Sequence, residues 1–453
     1  MMWRAGNESG NQDRAADRLP SAAMALCLLW AGGQALAGAD PGPATRPTEV
    51  AAAGLIQVDG RDLQQVIDAA APNSSVQCDP NQQLTRSAPL RIDKPLTLRG
   101  LNARLPAKLG NTTLVVVTAP GVTVSDFVLT GNGDTVSQDD RAALMIVGAS
   151  DFRIERGRFV NSSKDGVMIR GGVVDQNDIV GGVVRDIVGQ DVIRDTVAIT
   201  GSEGEQDTTR IRNVLVENIR CYGSRKRGCV EVSDGAENIT VRKVYAESSV
   251  YAVDVQDHRR PTQMNRDVLL EDIHALRCRY ALRTDNIPLG HARLTVRDIT
   301  AIECEEPIQI SNTDNLSLCG ARIIDHASSR KSPLVSITNC HGVVIRDVTV
   351  ENTDHKGPAV LLEDCDGAHV DGVMVRGRHE NLRAALSFRL TTERDYSGLR
   401  ISNVFAPDML AGIVLESTGE KTGTLDNYII SGNLARVQDS FRGRHALVSN
   451  NLP

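Results

Sequence analysis

One short segment recurs along most of this 453-residue chain, and it constrains the fold more than any other feature. It consists of an apolar residue, two polar residues and a second apolar residue, often with Arg-Asp in the middle, as at 184–187 and 296–299. Copies begin 22 to 31 residues apart, at Leu98, Val124, Ile154, Val184, Ile211, Val241, Leu270, Val296, Leu318, Ile345, Val370, Ile401 and Ile430. Repeats of this period are typical of solenoid proteins, whose units stack because no single unit can bury its own apolar face.

The repeat unit has the pattern of strands and lacks that of helices. Apolar and polar residues alternate, for example at 229–234 and 252–257, which predicts strands with one buried face. Asn, Asp and Gly are frequent between these segments and favour turns. We therefore predict an all-β fold, a single-stranded parallel β-helix of about 13 rungs that occupies residues 54–453.

Residues 61–71 differ from the rest of the chain because their apolar residues follow a helical period. These residues are Leu63, Val66, Ile67 and Ala70. The end of a β-helix exposes an unpaired strand edge. We predict that this short amphipathic helix caps the N-terminal end, and that the Pro- and Ala-containing residues 38–53 form a linker.

The N-terminal 37 residues have features of an export signal. Residues 22–31 form an apolar run, and Ala35-Leu36-Ala37 supplies a small-residue cleavage pattern. We predict a signal peptide and leader at 1–37 and a secreted or periplasmic mature protein. No apolar run reaches the roughly 18 residues of a membrane span. The net charge of −7 argues against a nucleic-acid partner, and we expect a monomer.

Eight of the nine cysteines lie after the predicted leader. Cys278 and Cys304 occupy matching positions in adjacent repeats, and so do Cys340 and Cys365. Each pair is predicted to stack, either as a disulfide or as two buried thiols. No Cys or His spacing typical of a zinc site is present.

Two segments near the start of the predicted domain, 62–70 and 90–100, resemble the opening of pectate-lyase-like proteins of the right-handed parallel β-helix superfamily. The resemblance covers roughly residues 55–440. It implies a right-handed coil and a general link to polysaccharides. It implies no single reaction, because this superfamily contains lyases, glycoside hydrolases, epimerases and non-catalytic modules. The full residue set of polygalacturonase-like hydrolases, or of calcium-dependent uronate lyases, is not found in the chain.

Three adjacent charged residues interrupt one otherwise neutral column of outward residues. The column contains Met168, Ala198, Glu231, Asp254, Arg283, Gln309, Ser336 and Leu361. We predict that Glu231, Asp254 and Arg283 are catalytic. The two carboxylates suit glycosidic-bond hydrolysis, and Arg283 suits charge stabilisation in a β-elimination. The alternative is a solvated surface on which Asp254 and Arg283 form an ordinary cross-strand ion pair.

Polar and basic residues flank this trio. We predict that substrate is bound by Lys164, Arg194, Arg227, Gln256, Asp257, His258 and Asp285. The basic members can instead pair with Asp165, Asp195 and Asp234. Insertions at 201–207, 256–265 and 285–291 are predicted to wall a groove beside these residues.

The predicted function is an exported enzyme that cleaves an acidic polysaccharide along the strip between Ile154 and Asn286, with β-elimination slightly favoured. One alternative is a glycoside hydrolase that uses Glu231 and Asp254 as its carboxylate pair. Another is a non-catalytic carbohydrate-binding or cell-surface module. If the protein takes a cofactor, the carboxylate pair indicates calcium, because calcium binds carboxylate oxygens.

Overall fold

The computed structural model describes residues 54–107, 109, 112–133, 142–173, 177–201, 208–258, 264–284, 290–324, 331–418, 423–441, 446–449 and 451. The predicted leader and linker lie outside these residues. So do most of the three insertions, including Asp285. Among the described residues, no helix is long and apolar enough to cross a membrane.

Most strands belong to one 19-stranded sheet, the main sheet. Its strands are Leu55–Gln57, Ser75–Gln77, Leu84–Thr85, Thr97–Arg99, Asn102–Arg104, Thr123–Thr130, Phe152–Val160, Ile179–Gln190, Ile211–Tyr222, Ala236–Glu247, Asn265–Leu276, His291–Ile302, Thr313–Asp314, Ser317–Ile324, Val344–Glu351, His369–Arg376, Arg400–Phe405, Tyr428–Ser431 and Ala446–Ser449.

A second sheet of 14 strands, the site sheet, lies on another side of the coil. Its strands are Leu90–Ile92, Val115–Val117, Met145–Val147, Val167–Arg170, Val197–Thr200, Gly228–Ser233, Tyr251–Gln256, Tyr280–Thr284, Ile308–Ser311, Val335–Thr338, Val360–Glu363, Leu386–Leu390, Ile413–Ser417 and Val437–Asp439. Tyr396–Ser397 and Leu425–Asp426 form a separate pair. The pairings are parallel, and the predicted parallel β-helix is confirmed as a β-solenoid of about 12 turns.

The repeat predicted from sequence sets the register of the main sheet, with one exception. Leu98 pairs with Val124, Val124 with Ile154, and the same column continues coil by coil to Ile430. The prediction for Ile211 is wrong, because Val216 is the residue that pairs with Val184 and Val241. Ile211 pairs with Ile179, five residues earlier in the same long strand.

The polar pair in each repeat makes a bend. The second residue of the pair has a positive φ, as in Asp186 (56°), Asn218 (54°), Asp272 (56°) and Asp298 (54°). Asn and Asp tolerate this left-handed conformation better than other side chains that carry a Cβ. The recurring Arg-Asp pairs are therefore structural.

One continuous apolar core runs through the solenoid from Leu63 to Ala435. Phe127 fills part of it by lying over Gly157 of the next coil, where a Cβ would stand only 2.1 Å from the ring. Phe127 also packs against Phe159, with ring centroids 5.2 Å apart. Close packing at this position therefore depends on a glycine.

The predicted capping helix is present at Leu63–Ala69, with Asp62 as its N-cap. Leu63, Val66 and Ile67 enter the core. The Gln64 side chain pairs with the backbone of Arg91 in both directions. Its Oε1 accepts from the Arg91 N–H at 2.9 Å, and its Nε2 donates to the Arg91 carbonyl at 3.1 Å. Since Arg91 lies in the terminal strand of the site sheet, this amide takes the place of a further strand.

The eight described cysteines are free thiols. Cys278 and Cys304 lie in the predicted stack, and each Sγ lies within hydrogen-bond distance of a backbone carbonyl, that of Ala246 for Cys278 and that of Ala275 for Cys304. Burial raises the pKa of Cys278 to about 11 and that of Cys304 to about 12. Of the two states predicted for these cysteines, the structure has the buried thiols.

Candidate functional site

The predicted outward column is confirmed position by position. Glu231 pairs with Asp254 in register, and Asp254 pairs with Arg283. The side chains point away from the core, since they alternate with the fully buried Val230, Val253 and Leu282. We call the outer face of the strands Gly228–Ser233, Tyr251–Gln256 and Tyr280–Thr284, together with the flanking residues Arg194, Arg227 and His258, the site strip.

The carboxylates of the site strip are buried, although they face outward. Glu231 is 1% exposed and Asp254 is 0% exposed. A solvated surface is therefore the wrong description of this face. Neighbouring side chains cover both carboxylates and supply the hydrogen bonds that a buried charge requires.

Glu231 receives donors from three neighbouring side chains. Arg227 forms an ion pair with Oε2. Ser233 Oγ donates to Oε1 at 3.2 Å, and Gln256 Nε2 lies 3.4 Å from Oε2. Gln256 also donates to Asp254. Because one amide nitrogen reaches both carboxylates, these two oxygens lie within two hydrogen-bond lengths, about 6 Å.

Asp254 forms a two-pronged ion pair with Arg283. Arg283 Nε donates to Oδ1 at 3.2 Å, and Nη2 contacts Oδ2. The guanidinium also lies over the rings of Tyr251 and Tyr280, 5.4 Å and 5.6 Å from their centroids. The aromatic faces and the carboxylate hold the cation in a fixed place.

Arg194 and Arg227 lie over a second pair of buried carboxylates, those of Asp165 and Asp195. Arg194 Nε is 3.4 Å from Asp165 Oδ1, and Arg227 Nη1 is 3.6 Å from Asp195 Oδ2. The predicted alternative, pairing with neighbouring aspartates, is thus observed for both arginines. Lys164 differs from them. Within the described part of the chain it forms no ion pair with these carboxylates.

Asp195 and Tyr251 are site residues that sequence reasoning missed. Tyr251 Oη donates to Asp195 Oδ1 at 2.7 Å, and both residues are almost fully buried. Burial and the neighbouring Asp165 raise the pKa of Asp195 to about 7. Burial raises the pKa of Tyr251 well above its usual value. The sequence identifies Asp195 only as a partner for a basic residue, because the residues around one aspartate do not indicate that it is buried beside another aspartate.

His258 lies at the carboxyl-terminal edge of the site strip, where a buried aspartate orients it. Asp234 is 1% exposed and accepts from the His258 backbone N–H at 2.7 Å. Its other oxygen lies 2.7 Å from His258 Nδ1. When the neutral ring donates Nδ1–H to this carboxylate, Nε2 is left as the proton acceptor. Asp257 is fully buried and lies beside this pair in the sequence.

The accessible chemistry of the site strip is therefore mainly cationic. Arg194, Arg227 and Arg283 each expose about a quarter of their side chain, while the carboxylates below them are covered. Beyond Arg283 the column continues with the partly exposed Gln309 and Ser336. On the other side Met168 and Ala198 are buried. The accessible part of the column thus begins at Arg283 and extends past Asn286, beyond the predicted limit.

The carboxylates of the site strip do not fit a calcium site. Among the described residues, no group of three or more His, Cys, Asp or Glu side chains is placed to hold a metal ion. Calcium takes six to eight oxygen ligands. The oxygens of Glu231 and Asp254 are instead occupied by guanidinium, amide and hydroxyl donors.

Comparison with known proteins gives no family assignment. No family model matches the chain, and no curated protein matches it. The A-module of a mannuronan C-5 epimerase from Azotobacter vinelandii is a similar solved structure, at 14% identity and a TM-score of 0.45 over 85% of this chain and 94% of that one. A family 28 exopolygalacturonase from Yersinia enterocolitica is 12% identical, with a TM-score of 0.40 over 88% of this chain and 78% of that one.

A third similar structure is the catalytic unit of a GH87 alpha-1,3-glucanase from Streptomyces thermodiastaticus strain HF3-3. It is 13% identical, with a TM-score of 0.40 over 89% of this chain and 69% of that one.

Proposed function

We propose that this protein is an exported enzyme that binds an acidic polysaccharide along the site strip and cleaves it by β-elimination. The observation that carries the proposal is the set of three partly exposed arginines, Arg194, Arg227 and Arg283, each held on buried carboxylates. Guanidinium groups bind carboxylates with two parallel hydrogen bonds. Arg194 and Arg227 lie on neighbouring coils and Arg283 lies two coils further on, and such an array of fixed guanidiniums suits a polymer that carries carboxylates along its length.

Elimination from a uronate requires two things that the site strip supplies. A cation must neutralise the sugar carboxylate, which makes the proton on the adjacent carbon easier to remove, and Arg283 is the most suitable cation. A base must then accept that proton, and Nε2 of His258 is suited to this because Asp234 occupies Nδ1.

The bond changes balance as follows. Nε2 of His258 accepts the proton, the electron pair of the broken C–H bond forms a carbon–carbon double bond, and the bond to the leaving sugar oxygen breaks. The leaving oxygen takes a proton from water. His258 follows Asp254 by four residues, about 13 Å along an extended strand. Because Arg283 is held on Asp254 beside two tyrosine rings, the uronate itself has to extend from this guanidinium toward His258.

A hydrolase that uses Glu231 and Asp254 is the second candidate. One observation favours it, the shared contact with Gln256 that keeps the two carboxylates within about 6 Å. That spacing is compatible with retaining glycosidases, whose carboxylates are about 5–5.5 Å apart, and too short for inverting ones. The complete burial of both groups favours elimination, because a glycosidic oxygen must reach the acid.

The test is an assay on uronate-containing and neutral polysaccharides, with and without calcium, that follows ultraviolet absorbance of an unsaturated uronate and release of reducing ends. We expect both signals on a uronate polymer. Reducing ends without absorbance would favour the hydrolase, and binding without either signal would favour the non-catalytic module. No binding and no product on any polymer would contradict the proposal.

His258→Gln tests the base. We expect the rate of elimination to fall by about 10²- to 10⁴-fold with polymer binding retained, which is the usual contribution of a general base. His341→Gln is the matched control. Its Nδ1 lies 3.0 Å from Asp314 Oδ1, and its exposure is similar, but it lies in a different part of the solenoid. Equal rates for the two variants would exclude His258 as the base.

A further inference from the structure

The buried group below Arg194 and Arg227 contains more acids than bases. Three carboxylates, those of Asp165, Asp195 and Glu231, lie within 4 Å of the two guanidiniums. Both aspartates are 0% exposed. If every acid were ionised, one negative charge would remain without a counter-charge among these five groups, and a buried unpaired charge is strongly unfavourable.

The hydrogen bonds around Asp195 show which acid is most easily neutralised. Its Oδ1 accepts from Tyr251 Oη at 2.7 Å and lies 3.3 Å from the Gly228 N–H. Its Oδ2 is buried, has no hydrogen-bond partner, and lies 3.6 Å from Arg227 Nη1 and 3.9 Å from Arg194 Nη2. These two distances exceed a normal hydrogen bond. The arginines are close enough to be attracted to this oxygen but are not bound to it.

Asp165 lies directly below Asp195. Its Oδ1 accepts from the Asp195 backbone N–H at 3.2 Å, so the two carboxyl groups belong to adjacent coils at the same position. Its Oδ2 is buried and, like that of Asp195, has no hydrogen-bond partner. In this dry place, the charge of Asp165 disfavours ionisation of Asp195.

We propose that Asp195 holds a proton at neutral pH, and that this proton keeps Arg227 on Glu231 at the surface of the site strip. With the proton in place, two carboxylates balance two guanidiniums. Without it, Asp195 becomes a second anion that competes with Glu231 for Arg227 and with Asp165 for Arg194. The aspartate pair is thus a positioning device for the arginines, and its effect on the ligand rests on the proposed function.

The other groups around Asp195 are consistent with this assignment. Burial and the charge of Asp165 raise the pKa of Asp195, whereas Arg227, Arg194 and the Tyr251 hydrogen bond lower it, and the net result is a pKa of about 7. The thiols of Cys221 and Cys229 also lie near Asp195 and face it from the core side. Burial raises the pKa of Tyr251, and the charges of Asp195 and of Asp254, which lies in the same strand as Tyr251, add to this.

The consequence is a binding surface whose strength depends on pH. As pH rises through neutrality, loss of the proton draws Arg227 and Arg194 inward and away from an anionic ligand. Wild-type protein should therefore bind sodium polygalacturonate or sodium alginate several-fold more weakly above neutral pH than below it. A surface of simple exposed arginines would bind equally across this range, because guanidinium does not titrate there.

Infrared difference spectroscopy tests the proton on Asp195 without any ligand. At slightly acidic pH, wild-type protein should show the carbonyl band of a buried, protonated carboxylic acid. This band should fade as pH rises, and it should be absent from Asp195→Asn and from Asp165→Asn. Glu155→Gln is the matched control, since Glu155 is also buried among arginines but has a lowered pKa. Absence of a band that either aspartate variant removes would overturn the proposal.

Binding of the same two polymers as a function of pH tests the positioning role. Asp195→Asn, which cannot ionise, should bind with no pH dependence near neutrality. Tyr251→Phe removes a hydrogen bond that favours ionised Asp195, so its weakening should move to higher pH. Parallel pH profiles for all three proteins would overturn the positioning role. If neither polymer binds at any pH, the proposed function fails, and the infrared band still decides whether Asp195 is protonated.

Discussion

The buried carboxylates of Glu231 and Asp254 each contact a guanidinium, and this pairing determines what a substitution there does. Asp254 has no solvent contact, so its charge is compensated by Arg283 and the Gln256 amide. Removing one member of such a pair leaves the other buried and uncompensated, which costs more than the pair contributes when intact. The same residues therefore govern stability and ligand binding, and the two effects must be separated experimentally.

Arg283→Gln is expected to lower the free energy of unfolding by about 3 kcal/mol, because it leaves Asp254 as an unpaired buried charge. It should also weaken binding of an acidic polymer. The double variant Arg283→Gln with Asp254→Asn should recover most of the stability and none of the binding. Denaturant unfolding and polymer binding measure the two effects.

Arg322→Gln is the control for that experiment, because Arg322 pairs with Glu351 on the surface with half of its side chain exposed. Its loss should cost no more than about 1 kcal/mol. If Arg283→Gln is no more destabilising than this control, Asp254 is not a buried charge that depends on Arg283.

Asp195 should make stability depend on pH in an unusual direction. Its pKa is raised to about 7, whereas an unfolded aspartate has a pKa of about 3.9. Between these values the folded state binds more protons than the unfolded state. The free energy of unfolding should therefore fall as pH rises from about 4 to about 7. Asp195→Asn should remove this slope, as measured by denaturant unfolding at several pH values.

Glu351→Gln should leave that slope in place. Hydrogen bonds from Arg322 and Arg376 lower the pKa of Glu351, so its contribution to stability is lost only in acid, as pH falls. Parallel changes in stability of the wild-type protein and Asp195→Asn between about pH 4 and 7 would contradict the burial and pairing described for Asp195.

Side-chain direction was predictable at the residue scale, and burial was not. Alternation with Val230 and Val253 assigns Glu231 and Asp254 to the outer face, and the register confirms their neighbours. What covers that face comes from Arg227, Gln256 and other side chains on neighbouring coils. No local pattern contains that information, so the carboxylates were predicted to be accessible groups when they are buried ones.

At the scale of the strand, two bends within one long strand explain both the success and the one error of the repeat. In Ile211–Tyr222 the bends lie at Asn213 and Asn218, both with positive φ. Each bend has an apolar residue before the polar pair and another after it, so 211–214 and 216–219 fit the same pattern. Sequence alone predicts that bends recur, and only strand pairing tells which of two equivalent bends is in register.

Lys243 offers a test of this explanation. It occupies a bend position with φ 56°, where an Asn or Asp is usual in the neighbouring coils. Lys243→Asn should stabilise the protein by about 0.5–1 kcal/mol, because Asn tolerates the left-handed region with less strain. The exposed ion pair with Glu217 that is lost contributes little. Comparison of denaturation midpoints measures the change.

Lys243→Gln is the matched control, since it removes the same charge but keeps a side chain that disfavours positive φ. We expect no gain in stability from it. Equal stabilisation by Asn and Gln would mean that the charge, and not the bend, limits stability at this position.

At the scale of the whole molecule, a solenoid must protect its ends because each end exposes a strand edge that can pair with another chain. The N-terminal end is protected by the helix Leu63–Ala69, and the sequence predicted that helix from its period alone. It could not predict how Gln64 would act. From sequence alone, a glutamine on a helix is assigned to the surface, because its contact with the terminal strand is visible only in the structure.

Gln64→Met should uncover the N-terminal edge of the site sheet. The variant keeps a long side chain of high helix propensity but leaves the N–H and carbonyl of Arg91 without their partner, at a cost of about 1–3 kcal/mol for the two hydrogen bonds. Since that backbone edge is then free to pair with another chain, we expect the wild-type protein to be a monomer in light scattering and the variant to self-associate as concentration rises. Gln65→Met is the matched control, because Gln65 is adjacent, exposed and makes no contact with Arg91 through its side chain. Self-association of both variants, or of neither, would show that the Gln64 amide does not protect this end of the solenoid.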